Sequence, residues 1–118
     1  MSSASTDDAF LDALLDACGD SVLLGEAIPE SCHSDWTGHG ACRPLALVRP
    51  ASTAEIARLL RLCNEHRRPV VPQGGMTGLA GAAVPGADSV ALSLAQFTGV
   101  EAVDRAAATL TVRAGTAL

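Results

Sequence analysis

The chain has 118 residues, 48% of them hydrophobic, and a mean hydropathy of +0.28, which is enough apolar material for one packed domain and too much for a disordered chain. A formal charge of −5, 3% aromatic content and the lack of any Tyr argue against nucleic acid as a partner, because phosphate backbones select basic faces and bases stack on aromatic side chains. No cationic segment leads into an apolar stretch at the N-terminus, and no run approaches the ~18 apolar residues of a membrane span, so the sequence predicts a cytoplasmic protein without a membrane span.

The charge is uneven. Asp7, Asp8, Asp12, Asp16, Asp20, Glu26, Glu30 and Asp35 fall in residues 1 to 35 without a single Arg or Lys, and the block reads as a solvated acidic face. Thr6 is placed to cap a first helix whose opening turn holds Asp7 and Asp8, with Phe10, Leu11, Leu14, Leu15 and Cys18 on one stripe and Gly19 at its end. Residues 20 to 44 show no sustained period and read as irregular connection. Leu45 to Arg49 is a short strand candidate. Ser52 and Glu55 then have capping-box spacing, Ile56, Leu59, Leu60 and Cys63 follow at helical intervals, and Arg67, Arg68 and Pro69 close the helix. Apolar runs at Pro69 to Pro72, Ser89 to Leu94, Val100 to Asp104 and Thr109 to Arg113 have strand length.

Cys18, Cys32, Cys42 and Cys63 lie 14, 10 and 21 positions apart with no C-x-x-C pair and read as free thiols. Cys32, His33, His39 and Cys42 are soft ligands within eleven residues, but their spacing fits no familiar zinc knuckle; a partly buried loop around Trp36 is the simpler reading, and no metal is expected. His33, His39 and His66 match no catalytic motif.

The most informative segment runs from Pro69 to Gly86, where a short apolar run enters a loop carrying Gly74, Gly75, Gly78 and Gly81. Glycines let backbone approach a bulky ligand and leave N–H groups free for anionic oxygens, so the loop reads as a phosphate cradle or, more simply, as a tight turn. The chain has no Lys, which excludes a P-loop lysine. A Rossmann site needs G-x-G-x-x-G followed by a helix. Here the spacing is Gly75-x-x-Gly78-x-x-Gly81 and the loop runs through Pro85 and Gly86 into another strand. Binding would rest on main-chain amides, with the Thr77 hydroxyl as one side-chain donor.

These residues resemble a known family. Trp36 with Gly40, Pro44 to Pro50, the helix start at Ser52 to Ile56, the loop Val71 to Gly81, Val84-Pro85, Ser93-Leu94 and Ala114 to Leu118 look like the N-terminal flavin-binding region of FAD-linked 2-hydroxy-acid dehydrogenases and oxidases. That group includes D-lactate and D-2-hydroxyglutarate dehydrogenases and the glycolate oxidase flavoprotein subunit, with FAD domains of the vanillyl-alcohol oxidase and p-cresol methylhydroxylase type. The resemblance implies an α+β fold, the first subdomain of a two-subdomain FAD-binding domain: an N-terminal helix plus a small sheet with a packed helix. It divides the chain into an acidic helix and leader over 1–34 and the N-terminal part of the FAD-binding domain over 35–118.

The resemblance also implies FAD as cofactor, with its diphosphate held by Gln73, Gly74, Gly75, Met76, Thr77 and Gly78 and by the turn at Gly81, Ala82 and Ala83. Many members carry Asn where this chain has Met76 and Gly-Ser where it has Ala82-Ala83, so side-chain donors are lost and backbone donors remain. Members that attach FAD covalently here use His at the position of Met76, so attachment at this residue is expected to be non-covalent. The implied parent reaction is oxidation of a small D-2-hydroxy acid to a 2-oxo acid. The substrate-binding and catalytic residues of the family would follow Leu118, so none is assigned, and the chain alone is expected to be inactive. Two other readings stand beside this one: an alcohol or sugar oxidase on the same scaffold, and a non-catalytic half-domain that associates with a missing C-terminal half or another partner through an unpaired sheet edge.

Overall fold

The structure, a computed structural model, describes residues 3–117. Helix α1 spans Ser3–Cys18. Phe10 and Leu14, one turn apart, are fully buried, while Leu15, expected on the same stripe, is exposed. The helix starts earlier than the sequence predicts: Thr6 lies inside it and no acidic residue occupies its first turn. Once a turn is nucleated, extending it by one residue adds a hydrogen bond at little cost, so a cap-forming residue near the end need not stop it. The acidic block is not uniformly solvated either. Asp7 pairs with Arg68 at 2.6 Å, and the Arg68 guanidinium lies 5.3 Å from the centre of the Phe10 ring, which ties α1 to the segment following the second helix.

Helix α2 spans Thr53–Glu65. Ser52 caps it as predicted: its Oγ accepts from the Glu55 amide at 3.2 Å, and Glu55 Oε2 accepts in return from the Ala51 amide at 2.6 Å. Leu59 and Cys63 are buried, with Ile56 and Leu62 beside them; Leu60 is exposed. At the other end Arg67 takes a left-handed φ of 54°, the Arg68 amide donates to Cys63 O at 2.8 Å and the Arg67 amide to Asn64 O at 3.3 Å. This is a Schellman closure built without glycine, and Pro69 prevents the helix from resuming. Arg58 on α2 donates from Nη1 to Ala17 O at 3.0 Å, a cation on a carbonyl at the C-terminal end of α1.

Strands β1 (Val22–Leu23), β2 (Ala46–Val48), β3 (Val70–Gln73) and β4 (Val90–Ser93) form a mixed sheet in the order β1-β2-β4-β3. β4 runs parallel to both β2 and β3, with Leu47 opposite Ala91 and Gln73 opposite Ser93. β1 is antiparallel to β2. Residues 20 to 44 are therefore not simply irregular connection, since they supply β1 and short 3-10 turns at Gly19–Ser21, Gly25–Ala27 and Glu30–Cys32. A two-residue strand has no period to detect.

The sheet is covered on both faces. Ala46, Val48, Val90 and Leu92 pack against Phe10, Leu14, Leu59 and Cys63 of the two helices. The alternate residues Leu47 and Ala91 meet Ile28, with Leu23 and Cys32 at the edge, so the polypeptide before residue 34 supplies the second cover. Burial on both faces explains why β2 and β4 read as continuous apolar runs.

Strands β5 (Val100–Asp104) and β6 (Thr109–Val112) pair as a separate antiparallel hairpin, with a bulge between Val100 and Ala102. Apart from half-buried Val112 its strand side chains are exposed, Val103 at 65%, and it extends the molecule to a radius of gyration of 15.5 Å, against roughly 13.5 Å for a compact chain of this length. The root of the hairpin is fixed by Arg113 N–H to Gly99 O, Gly115 N–H to Phe97 O and Gly99 N–H to Thr116 Oγ1, each at 2.9 Å. Leu118, the last residue of the Ala114–Leu118 landmark, lies outside the described residues.

Candidate functional site

The glycine loop leaves the carboxyl end of β3. That is where open parallel sheets usually hold ligands, because loops there diverge and their amides are not taken up by the ladder. No helix follows, and the chain runs through the 81–84 turn to buried Pro85 and back into β4. Residues 74 and 75 and 77 to 82 are exposed; Met76 and Ala83 are half-buried. Among the described residues, the main-chain N–H groups of residues 74–80, 82 and 83 donate to no main-chain or side-chain acceptor. Seven consecutive amides are thus left available, the donor set an anion needs.

The glycines fall into two kinds. Gly81 has φ +79°, a conformation that L side chains rarely adopt, so its identity is set by the turn. Gly74, Gly75 and Gly78 have no positive φ, and a Cβ built on any of them would meet nothing within 4 Å. The fold of the described residues does not require glycine at these three positions. The unfilled space lies on an exposed loop, open to a group approaching the main chain. Met76 does take a left-handed φ, 60°, without being glycine.

What shapes the loop is a set of ties from residues 32 to 37. The Trp36 amide donates to Gly78 O at 3.2 Å, and the Gly81 amide donates to Asp35 Oδ2 at 2.8 Å. Asp35 is only 8% exposed, and its Oδ1 accepts from both the amide and the hydroxyl of Thr37. The Thr37 hydroxyl first, and then the Gly81 and Thr37 amides, hold this carboxyl below the usual carboxylate range against the opposing effect of desolvation. Gln73, 1% exposed, donates from Nε2 to Cys32 O at 2.8 Å and to Ala83 O at 3.0 Å, joining the two ends of the loop to the preceding segment. Among the described residues, Gln73 Oε1 and His33 Nε2 are buried without a hydrogen-bond partner.

The sequence-predicted residues therefore lie on one continuous stretch, with Gln73 ending β3 and Gly74 to Gly78 and Gly81 to Ala83 on the loop that follows, but they differ in what they offer. Gln73 braces the loop from beneath, the Gly81 donor is engaged by Asp35, and residues 74–78, 82 and 83 keep free amides. Asp35 was not distinguishable from the surrounding acidic residues in sequence; the one available signal was its position beside Trp36. The Cys and His residues around Trp36 are organised by bonds to main-chain carbonyls, from Cys42 N–H to His33 O and from the Ser34 hydroxyl to His39 O, each at 2.9 Å. Among the described residues no group of three or more His, Cys, Asp or Glu converges on a common point, no pocket is enclosed, and no helix is long and apolar enough to cross a membrane.

The chain is similar in sequence and fold to known proteins. The family model described as "FAD binding domain" matches residues 44–118, which contain the whole glycine loop. A D-lactate dehydrogenase of Anaerostipes hadrus is 36% identical over 98 residues, 82% of this chain and 21% of the relative. A probable mitochondrial D-2-hydroxyglutarate dehydrogenase of Oryza sativa subsp. indica is 37% identical over 114 residues, 97% of this chain and 20% of the relative. The chain thus spans about a fifth of the length of the curated relatives it matches. Among solved structures, 4-ethylphenol oxidase from Gulosibacter chungangensis superposes with a TM-score of 0.78 at 21% identity, over 96% of this chain and 23% of that one. p-Cresol methylhydroxylase gives 0.61 at 19% identity, over 85% and 20%. At such identities these structures speak for the fold, which matches the N-terminal part of their FAD-binding domains. The chain belongs to the FAD binding domain family.

Proposed function

We propose that residues 74–80, with the amides of Ala82 and Ala83, hold the diphosphate of FAD, and that the chain is the cofactor-anchoring segment of a flavin-dependent oxidoreductase acting on a small D-2-hydroxy acid. The observation that carries this reading is the run of seven free main-chain amides beside glycines whose missing Cβ atoms the fold itself does not require. Each amide facing a charged oxygen contributes roughly 1.5–3 kcal/mol, so a few suffice for a diphosphate. When bound, FAD accepts two electrons as the hydroxy acid becomes the 2-oxo acid. The chain's own residues orient that group: Gln73 and Asp35 brace the loop, Thr77 offers a hydroxyl, and the Met76 thioether has no N–H, O–H or S–H proton to exchange for a stable bond to the flavin, so attachment there is non-covalent.

The 2-hydroxy-acid assignment is supported by the names of the D-lactate and D-2-hydroxyglutarate dehydrogenase relatives. In this reading residues 35–118 form the first part of the FAD-binding domain and residues 1–34 an acidic helix and leader that also covers its sheet. The exposed apolar side chains of Val100, Val103 and Leu110 on the hairpin support packing against a further part of such a domain. Gel filtration of the chain after incubation with FAD, with the visible spectrum recorded, tests the proposal. Flavin absorption travelling with the protein, without 2-hydroxy-acid turnover, is expected. A flavin-free protein peak refutes cofactor retention, and turnover refutes the assignment of catalysis to residues outside this chain.

A further inference from the structure

We infer that Asp35 is the positioning residue of the glycine loop, fixing the direction in which its amides point; this deepens the FAD reading and rests on it for the identity of the ligand. The carboxylate is buried, and among the described residues it has no ion-pair partner, an arrangement that is costly unless donors satisfy both oxygens. They do so asymmetrically. Oδ1 is used locally by Thr37, which makes a small turn, whereas Oδ2 reaches 46 positions along the chain to the Gly81 amide.

The next residue adds a second tie. Trp36 N–H holds Gly78 O, so residues 35 and 36 grip the loop three positions apart. In a trans peptide the carbonyl and the following N–H point in opposite directions. With Gly78 O turned toward Trp36, the Leu79 N–H is directed away from the clamp, and the negative end of that peptide dipole is removed from the side where an anion would approach. With the Gly81 N–H turned toward Asp35, the Ala80 carbonyl faces away from the clamp, which interrupts the run of free donors between residues 74–80 and Ala82–Ala83. Gly81 is therefore held as a shape-setting residue, with free donors on both sides of it, at residues 74–80 and at Ala82 and Ala83. Only a carboxylate offers acceptors to both Thr37 and Gly81; in Asp35→Asn an NH2 group would face one of these N–H donors.

The test uses the full 118-residue chain with 15N-labelled amides, comparing wild type with Asp35→Asn and titrating each with FAD, ADP and riboflavin. The substitution is expected to displace the amide signals of residues 74–81 while leaving those of β2 and β4 in place. It should weaken FAD and ADP about tenfold without changing riboflavin, which has no diphosphate. A merely structural role would weaken all three ligands alike. Unchanged 74–81 signals, or unchanged FAD affinity in a chain whose wild type binds FAD, overturns the inference. If wild type binds no FAD, the diphosphate reading fails and the loop signals alone decide the role of Asp35. If Asp35→Asn does not fold, the wild-type chain answers: the Gly81 amide proton must shift as the Asp35 carboxyl titrates, and a flat Gly81 signal through that range overturns the inference.

Discussion

Gly75→Ala separates what the fold needs from what the ligand needs. A Cβ at Gly75 meets nothing within 4 Å, and the residue has no positive φ, so the folded chain accepts alanine without strain. Alanine also restricts the unfolded chain, which stabilises the fold by about 0.4–1 kcal/mol and raises Tm by ~2–4 °C. The same methyl group stands where a diphosphate would approach the main chain. Losing even one charge-assisted bond of about 1.5 kcal/mol weakens FAD roughly tenfold. Gly115→Ala is the contrasting control. Its Cβ would fall 1.7 Å from Leu94 O and 2.8 Å from Phe97 O, both main-chain atoms that cannot swing aside, and the Gly115–Phe97 bond would be lost. Overpacking and a lost hydrogen bond together cost about 2–4 kcal/mol. Circular dichroism melts combined with FAD titration, followed by fluorescence of the single tryptophan, Trp36, which is 74% exposed, measure both effects. The reasoning fails if Gly75→Ala melts as low as Gly115→Ala, or if it binds FAD as wild type does.

Leu59→Ala empties a fully buried position between α2 and the sheet and should lower stability by about 2–5 kcal/mol in urea unfolding. Ser52→Ala removes the acceptor for the Glu55 amide and should cost about 1 kcal/mol by the same assay; an unchanged midpoint would mean that Glu55 alone holds the helix start. Burial, reinforced by neighbouring Cys18 and partly offset by Arg68, pushes the Cys63 thiol up to about 11. Iodoacetamide at pH 8, read by mass spectrometry, should therefore label Cys32 and Cys42 well before Cys63. Asp35 has a folded-state pKa below its unfolded value of roughly 3.9, so its contribution is fully present above that pH and is lost as pH falls through the folded value. The stability gap between wild type and Asp35→Asn should accordingly narrow below about pH 4; a constant gap would contradict the carboxylate's role.

Much of the architecture was legible because long periodic elements announce themselves. α2 carried its cap at Ser52 and its buried Leu59 and Cys63 at helical spacing, and β4 stood out as an apolar run between turns. β1 escaped because Val22–Leu23 gains its strand character only from pairing with Val48 and Leu47. The early start of α1 escaped because a cap-forming Thr6 does not oblige a helix to begin there. At the site, the glycine run exposed the loop, but not the division of labour within it. Asp35 looked like one acid among eight in residues 1 to 35, and its burial and its reach to Gly81 are tertiary facts with no local signature. Likewise, Gln73 was expected among the residues that hold the cofactor, and the engagement of its Nε2 by two carbonyls of the chain itself has no local signature.

If the free amides of the glycine loop receive the FAD diphosphate, their signals must respond to it. Titrating the 15N-labelled chain with FAD while following every amide reads that response. Saturable shifts concentrated in residues 74–80, 82 and 83 and reproduced by ADP are expected, with the hairpin amides of 100–112 little changed. Shifts confined to the hairpin, or none at all at millimolar FAD, would contradict a diphosphate site at this loop.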